Sequence, residues 1–326
     1  MPMAPLPDST TYESIYGRIS FTFFSRKFSH MKASHFFVKT SRRGLIFLCA
    51  AAGILLLIST RSASATPVTT NLVFWVDAAD PNNDSITPTV NNTALSTWVN
   101  KAPGGQQRGV SSVNQATAGF QPLIKTGVNG LNGLPVVRFD GADDFMQSAG
   151  SFSTVLAQPT EIFIVWKADS VGGSASVAYD DGPAGTDRQF MAYETGQLEI
   201  GAGNVVGFST PFSTAVYATA IYNGSSSSLR VNGVVKFAGV NVGSSSLGGV
   251  TLGGRFDLVG VDRFSLDGYI AEMLVYSSPL DTTQRDAVEA YLNNKWFVAI
   301  PEPGSLSLLA IGILVTLRQR RRTKNS

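Results

Sequence analysis

The chain has 326 residues with 25 basic and 23 acidic side chains, two histidines and one cysteine. Residues 66–300 hold 12 basic against 20 acidic groups, so this body lacks the positive field that phosphate neutralisation needs, which argues against nucleic acid as a partner. Both histidines and the cysteine precede residue 66; the body therefore has no disulfide, thiol nucleophile, Ser-His-Asp triad or nitrogen- and sulfur-ligated zinc site, and oxygen-ligated calcium is the metal its side chains suit.

Lys39, Arg42 and Arg43 precede an apolar stretch over 44–58, and Ala63-Ser64-Ala65 follows it. A basic start, an apolar middle and a small-x-small end form the pattern of a secretory signal peptide, with cleavage expected after Ala65. Met31 is a second candidate start, since residues 31–65 make an ordinary signal peptide without the Phe-rich leader before them. Cleavage removes His30, His35 and Cys49.

The body opens with a strand over 72–78, dense in β-formers. Polar turn residues follow from Asp80 to Asn92, and Trp98 is expected to pack inward among them. Asn129, Gly130, Asn132, Gly133 and Pro135 lead into a strand at 136–139, which ends in Asp140, Gly141, Asp143 and Asp144. Together with the opening strand, this segment resembles the start of a laminin G-like, concanavalin A-like jelly-roll domain of exported bacterial proteins. The resemblance implies an all-β, two-sheet antiparallel sandwich.

Residues 161–167 alternate Ile162, Ile164 and Trp166 with Phe163 and Val165, the pattern of a strand covered on both faces. Asn223-Gly224 between β-rich segments predicts a hairpin, with the following strand running over 229–237. Further strands are expected at 249–253 and 268–276. One short C-terminal helix follows: Asp281 caps it, Gln284 completes a capping box, and Val288, Tyr291, Leu292 and Trp296 form its buried stripe. No internal repeat is visible, so 66–298 reads as one domain between a leader over 1–65 and a tail over 299–326.

The tail begins with Pro301, Glu302 and Pro303, continues with an apolar run over 305–317, and ends in Arg318, Arg320, Arg321 and Arg322. As a helix that run reaches roughly 20 Å against a hydrocarbon core of about 30 Å, and the arginines favour the cytoplasmic side. This order of features is similar to the PEP-CTERM sorting signal of Gram-negative bacteria. The resemblance implies export, at least transient membrane anchoring, an exosortase-type processing enzyme as partner, and a final place at the cell envelope, cell surface or extracellular matrix. A simple membrane anchor is the alternative.

A glycoside hydrolase needs two carboxylates on one face of a sheet. Glu194 and Glu199 stand at an odd spacing, which on one continuous strand points them to opposite faces, and Glu272 reads as a structural hydrogen-bonding group. No catalytic residue is assigned, and the expectation is a non-catalytic domain. Two acidic groups are candidate calcium ligands: Asp140, Asp143 and Asp144 around Gly141, and Asp180, Asp181 and Asp187 in a Gly-Pro-containing loop. The plain alternative for each is turn chemistry. Tyr179, Phe190 and Tyr193 border the second group and are the candidate stacking surfaces for a sugar. The expected role is binding of extracellular polysaccharide or surface glycan; the alternative is a passive biofilm-matrix or protein-interaction module.

Overall fold

In a computed structural model of the chain, residues 66–170, 175–182, 188–255 and 264–298 are described. The described residues all belong to one unit of the chain, within 62–326. The leader and the sorting tail, with Pro301, Glu302, Pro303 and the arginines at 318 and 320–322, lie outside the described residues. Among the described residues no helix is long and apolar enough to cross a membrane.

The strands of the first half are β1 (Leu72–Asp77), β2 (Thr93–Ala94), β3 (Thr97–Val99), β4 (Ser112–Asn114), β5 (Leu123–Lys125), β6 (Val136–Asp140), β7 (Met146–Ser148) and β8 (Thr160–Ser170). Those of the second half are β9 (Ala175–Asp180), β10 (Phe190–Glu194), β11 (Gln197–Gly201), β12 (Val205–Ser209), β13 (Val216–Tyr222), β14 (Ser227–Val231), β15 (Val234–Val240), β16 (Thr251–Leu252) and β17 (Asp267–Tyr276). Helix α1 (Thr282–Trp296) closes the body.

Sheet A runs β15-β14-β13-β8-β17-β6-β5-β2, with β1 also paired to β17, and sheet B runs β12-β11-β10-β9-β16-β7-β4-β3. The recorded strand pairs are antiparallel, as in β8 with β13 and β17. The sheets meet face to face: the rings of Trp166 on β8 and Tyr193 on β10 are 5.0 Å apart, and the hydroxyls of Tyr179 on β9 and Tyr222 on β13 are 2.7 Å apart. The fold is thus an all-β two-sheet sandwich with one C-terminal helix.

β8 is buried on both faces because sheet B covers one and α1 the other. Ile162, Ile164 and Trp166 point into the sandwich, while Glu161 on the opposite face pairs with Arg285 of α1 at 2.5 Å and accepts from the Leu280 N–H at 2.7 Å. The helix starts where its sequence requires: the Asp281 side chain accepts from the Gln284 N–H at 2.8 Å, and the Gln284 side chain accepts from the Asp281 N–H at 3.3 Å. Val288, Tyr291, Leu292 and Trp296 are buried against sheet A, and Trp98 is buried in the core as its sequence context predicts.

One expected strand divides in two. Asn232 and Gly233 have φ of 51° and 75°, the left-handed pair of a tight hairpin, and they separate β14 from β15 within 229–237. The earlier pair Asn223-Gly224 instead enters a 3₁₀ turn over Gly224–Ser226. The same dipeptide does different work because, at this earlier pair, the Asn223 N–H donates to the Ser227 hydroxyl and the Gly224 N–H to the Gln158 side-chain carbonyl.

Candidate functional site

A cleft of about 370 Å³ opens on the outer face of sheet B, lined by Ala175, Val177, Arg188, Phe190, Ala192, Glu194, Gly203, Val205, Ser245, Arg255 and Phe264. Its floor is set by register. Ala192 pairs with Val177, but Met191 pairs with Tyr179, so Ala178 is an extra residue on β9. This bulge turns the strand over: Val177 faces the cleft, whereas Tyr179, two residues on, faces the core.

Small floor residues leave the trough open, and aromatic and charged side chains border it. Phe190 lies flat because Gly201 sits beneath it; a Cβ at Gly201 would come within 2.4 Å of the ring. The Arg188 guanidinium stacks on that ring at 4.8 Å from its centroid. Its Nε and Nη2 donate to the Asp180 carboxylate at 3.0 and 2.7 Å. On the same cleft Arg255 stacks on Phe264 at 5.5 Å. Phe264 has a φ of 54°, a conformation that bulky side chains rarely hold. Arg188, Arg255 and Phe264 were not singled out by their sequence context; two arginines close to phenylalanines in a basic-poor body were the available signal.

Of the three expected stacking residues, Phe190 reaches the cleft. Tyr179 and Tyr193 are corrected to core residues, 0% and 2% exposed, since their hydrogen bond and ring contact face sheet A. Burial pushes both hydroxyls up from the ordinary tyrosine value.

The acidic loop after β9 does not gather into a cation site among the described residues. Asp180 is committed to Arg188. Asp181 Oδ1 accepts from the N–H groups of Gly182, Gly248 and Gly249 at 2.7, 2.6 and 2.7 Å, which ties the strand end to the segment before β16. Burial pushes Asp181 up to about 6 against the pull of those donors. Asp187 lies outside the described residues.

The other acidic group does converge. One carboxylate oxygen each from Asp140, Asp143 and Asp144 lies within 4.8 Å of the others. Turn chemistry holds them there: Asp140 Oδ1 accepts from the Ala142 and Asp143 N–H groups at 2.8 and 3.3 Å, and Asp144 Oδ2 accepts from the Asp140 N–H at 3.0 Å. Burial, then the Asp140 carboxylate, pushes Asp144 up to about 6. Three carboxylates converging on one turn are a donor set that suits a hard cation such as calcium.

Glu194 and Glu199 are placed differently from the expectation. Thr195 and Gly196, with φ of 47° and 82°, turn the chain back, so Glu194 pairs with Gln197 and Glu199 with Ala192. The two glutamates are therefore diagonal neighbours on the same outer face, because the odd-spacing rule holds along one strand and fails across a two-residue hairpin. Burial, then the charge of Glu194, raises Glu199 above the ordinary glutamate value.

No family model matches the chain, and no curated protein matches it.

Solved structures give distant likenesses. The chain is 12% identical to Trypanosoma rangeli sialidase, covering 78% of this chain and 39% of that one at a TM-score of 0.40. It is 12% identical to domain 4 of the extracellular arabinanase AbnA from Geobacillus stearothermophilus, solved in complex with arabinotriose, covering 67% and 97% at a TM-score of 0.42. It is 11% identical to the botulinum neurotoxin serotype D binding domain, covering 70% and 52% at 0.41. The chain spans about two fifths of the sialidase's length. These likenesses do not assign an activity. The expectation of a non-catalytic domain is nonetheless corrected: its spacing argument against paired carboxylates fails at Glu194 and Glu199, and the solved structures named above include a sialidase and a domain of an arabinanase.

A second hollow of about 360 Å³ lies near β2 between Pro81 and Ile124. It is lined by prolines, small polar residues and aliphatic residues with Asp84, and among the described residues no aromatic or cationic side chain lines it.

Proposed function

We propose that the chain is an exported envelope or matrix protein whose laminin G-like domain, residues 66–298, binds polysaccharide or surface glycan in the cleft on sheet B. The supporting observation is the cleft's lining: a floor of Ala175, Val177, Ala192 and Val205 beside Phe190 and Phe264, with Arg188, Arg255, Glu194 and Ser245 around it. Sugars present apolar C–H faces and a rim of hydroxyls, and an apolar trough with a few convergent polar groups complements both. Calcium at Asp140, Asp143 and Asp144 belongs to the same proposal, as an ion that would brace the turn between β6 and β7.

The address is proposed from the sequence. A signal peptide ending at Ala65 takes the chain out of the cytoplasm. The Pro301-Glu302-Pro303 tail, with its apolar run and arginines, passes it to an exosortase-type enzyme at a Gram-negative envelope. The test of the binding proposal is retention of the full chain on insoluble polysaccharides, for the wild type and for Phe190→Ala. Retention that falls in the variant while its melting temperature holds supports the cleft, and equal retention removes it.

A further inference from the structure

We propose that the cleft selects saccharides that carry an anionic substituent, held by the outer end of the Arg188 guanidinium; this rests on the glycan reading of the same cleft. Arg188 is preorganised. Asp180, itself fully buried, accepts from Nε at 3.0 Å and from Nη2 at 2.7 Å, and the Phe190 ring supports the guanidinium plane at 4.8 Å. One edge of the planar fork is thereby fixed. Its other end, at Nη1 and the second N–H of Nη2, has no hydrogen-bond partner among the described residues and belongs to a side chain that lines the cleft. A guanidinium held in this way loses little freedom when it takes up a planar anion through paired N–H donors.

The placement of charge agrees. The body is acidic, with 12 basic against 20 acidic groups over 66–300, yet both Arg188 and Arg255 line this one cleft and both stack on phenylalanines. Glu194 also lines the cleft, but it lies four residues along β10 from Phe190, roughly 13 Å at about 3.3 Å per residue. Arg188, stacked on Phe190, is therefore separate from Glu194, and an anionic substituent at Arg188 stays clear of that carboxylate. The chemistry fits a carboxylate, as on a uronic acid, or a sulfate ester.

The test compares polymers that differ in charge alone, using the full chain. Polygalacturonate is measured against its carboxyl-reduced counterpart, and dextran sulfate against dextran, by affinity electrophoresis at low and moderate salt. Preference for either charged polymer by about tenfold, the size of one charge-assisted hydrogen bond, supports the inference, and which pair discriminates identifies carboxylate or sulfate. Arg188→Lys, which keeps a positive partner for Asp180, is expected to lose most of that preference, with Arg188→Gln as a second variant checked by its melting curve. Equal binding of charged and reduced polymers overturns the inference and leaves the glycan reading standing. Absence of binding to all four polymers, in a protein that melts cooperatively, overturns both. A charge preference that survives unchanged in Arg188→Lys and in a folded Arg188→Gln also overturns it.

Discussion

Lys295 Nζ lies 2.8 Å from Glu272 Oε2 and 2.8 Å from Asp77 Oδ2, so one ammonium on α1 joins two strands of sheet A. Glu272 is fully buried and also accepts from Trp75 Nε1 at 2.7 Å, the Tyr291 hydroxyl at 2.6 Å and Trp296 Nε1 at 2.7 Å. Burial, with the Asp77 charge, holds the Glu272 carboxyl above its ordinary value, while Lys295 and the Tyr291 hydroxyl pull it down. Burial pulls Lys295 down, and the two carboxylates outweigh it and hold the amine above its ordinary value. The network anchors the helix and stands on the face opposite the cleft.

Breaking that network is therefore expected to cost stability. Lys295→Met leaves two buried carboxylates without their shared cation, and removing one partner of a buried pair typically costs about 3–5 kcal/mol. Urea unfolding is the measurement, and a loss below about 1 kcal/mol, the scale of an exposed pair, would contradict the assignment.

Glu161 and Arg285 form the second anchor, at the other end of α1. Arg285→Ala is expected to destabilise the domain by a similar amount, and hydrogen exchange should show faster opening of residues 282–296 than of β8.

Gly201 should be intolerant of even one methyl group. Because a Cβ there would meet the Phe190 ring at 2.4 Å, Gly201→Ala is expected to lift the ring, disturb Arg188 and weaken polysaccharide retention by about tenfold, the worth of one charge-assisted contact. Tyr193→Ala has a different signature. It removes a core ring packed on Trp166 and is expected to cost about 3–5 kcal/mol of stability.

Asp144 and Asp181 predict an unusual pH dependence. Both are pushed up to about 6 from 3.8, so the folded state binds more protons than the unfolded state between those values. Their contribution therefore favours folding as pH falls from about 7 toward 4. Melting temperatures across that range, compared with Asp144→Asn, isolate the Asp144 part: the variant should be more stable than wild type near pH 7 in chelator and should lose part of the rise. Calcium should stabilise the wild type near pH 7 and the variant much less.

Local pattern made much of this architecture legible. The doubly covered strand at 161–167, the capping box at Asp281 and Gln284 and the helix stripe each depend on near neighbours, and each is found where the sequence places it. The cleft was less legible because it depends on register. The extra residue at Ala178 sends Tyr179 inward, and the turn at Thr195-Gly196 brings Glu194 and Glu199 to one face. Neither effect can be counted along a single strand. Phe190 is marked in the sequence by its place beside the second acidic group, whereas its support from Gly201 and Arg188 is a tertiary contact.

The central claim is that the outer cleft of sheet B is a glycan site, and the most direct test is a glycan array with insoluble-polysaccharide retention, run with calcium and with chelator on the wild type and on Phe190→Ala. The account predicts saccharide binding that Phe190→Ala reduces by about tenfold at unchanged melting temperature. Binding that is indifferent to Phe190, or no binding with calcium or with chelator by a cooperatively folded chain, would contradict it.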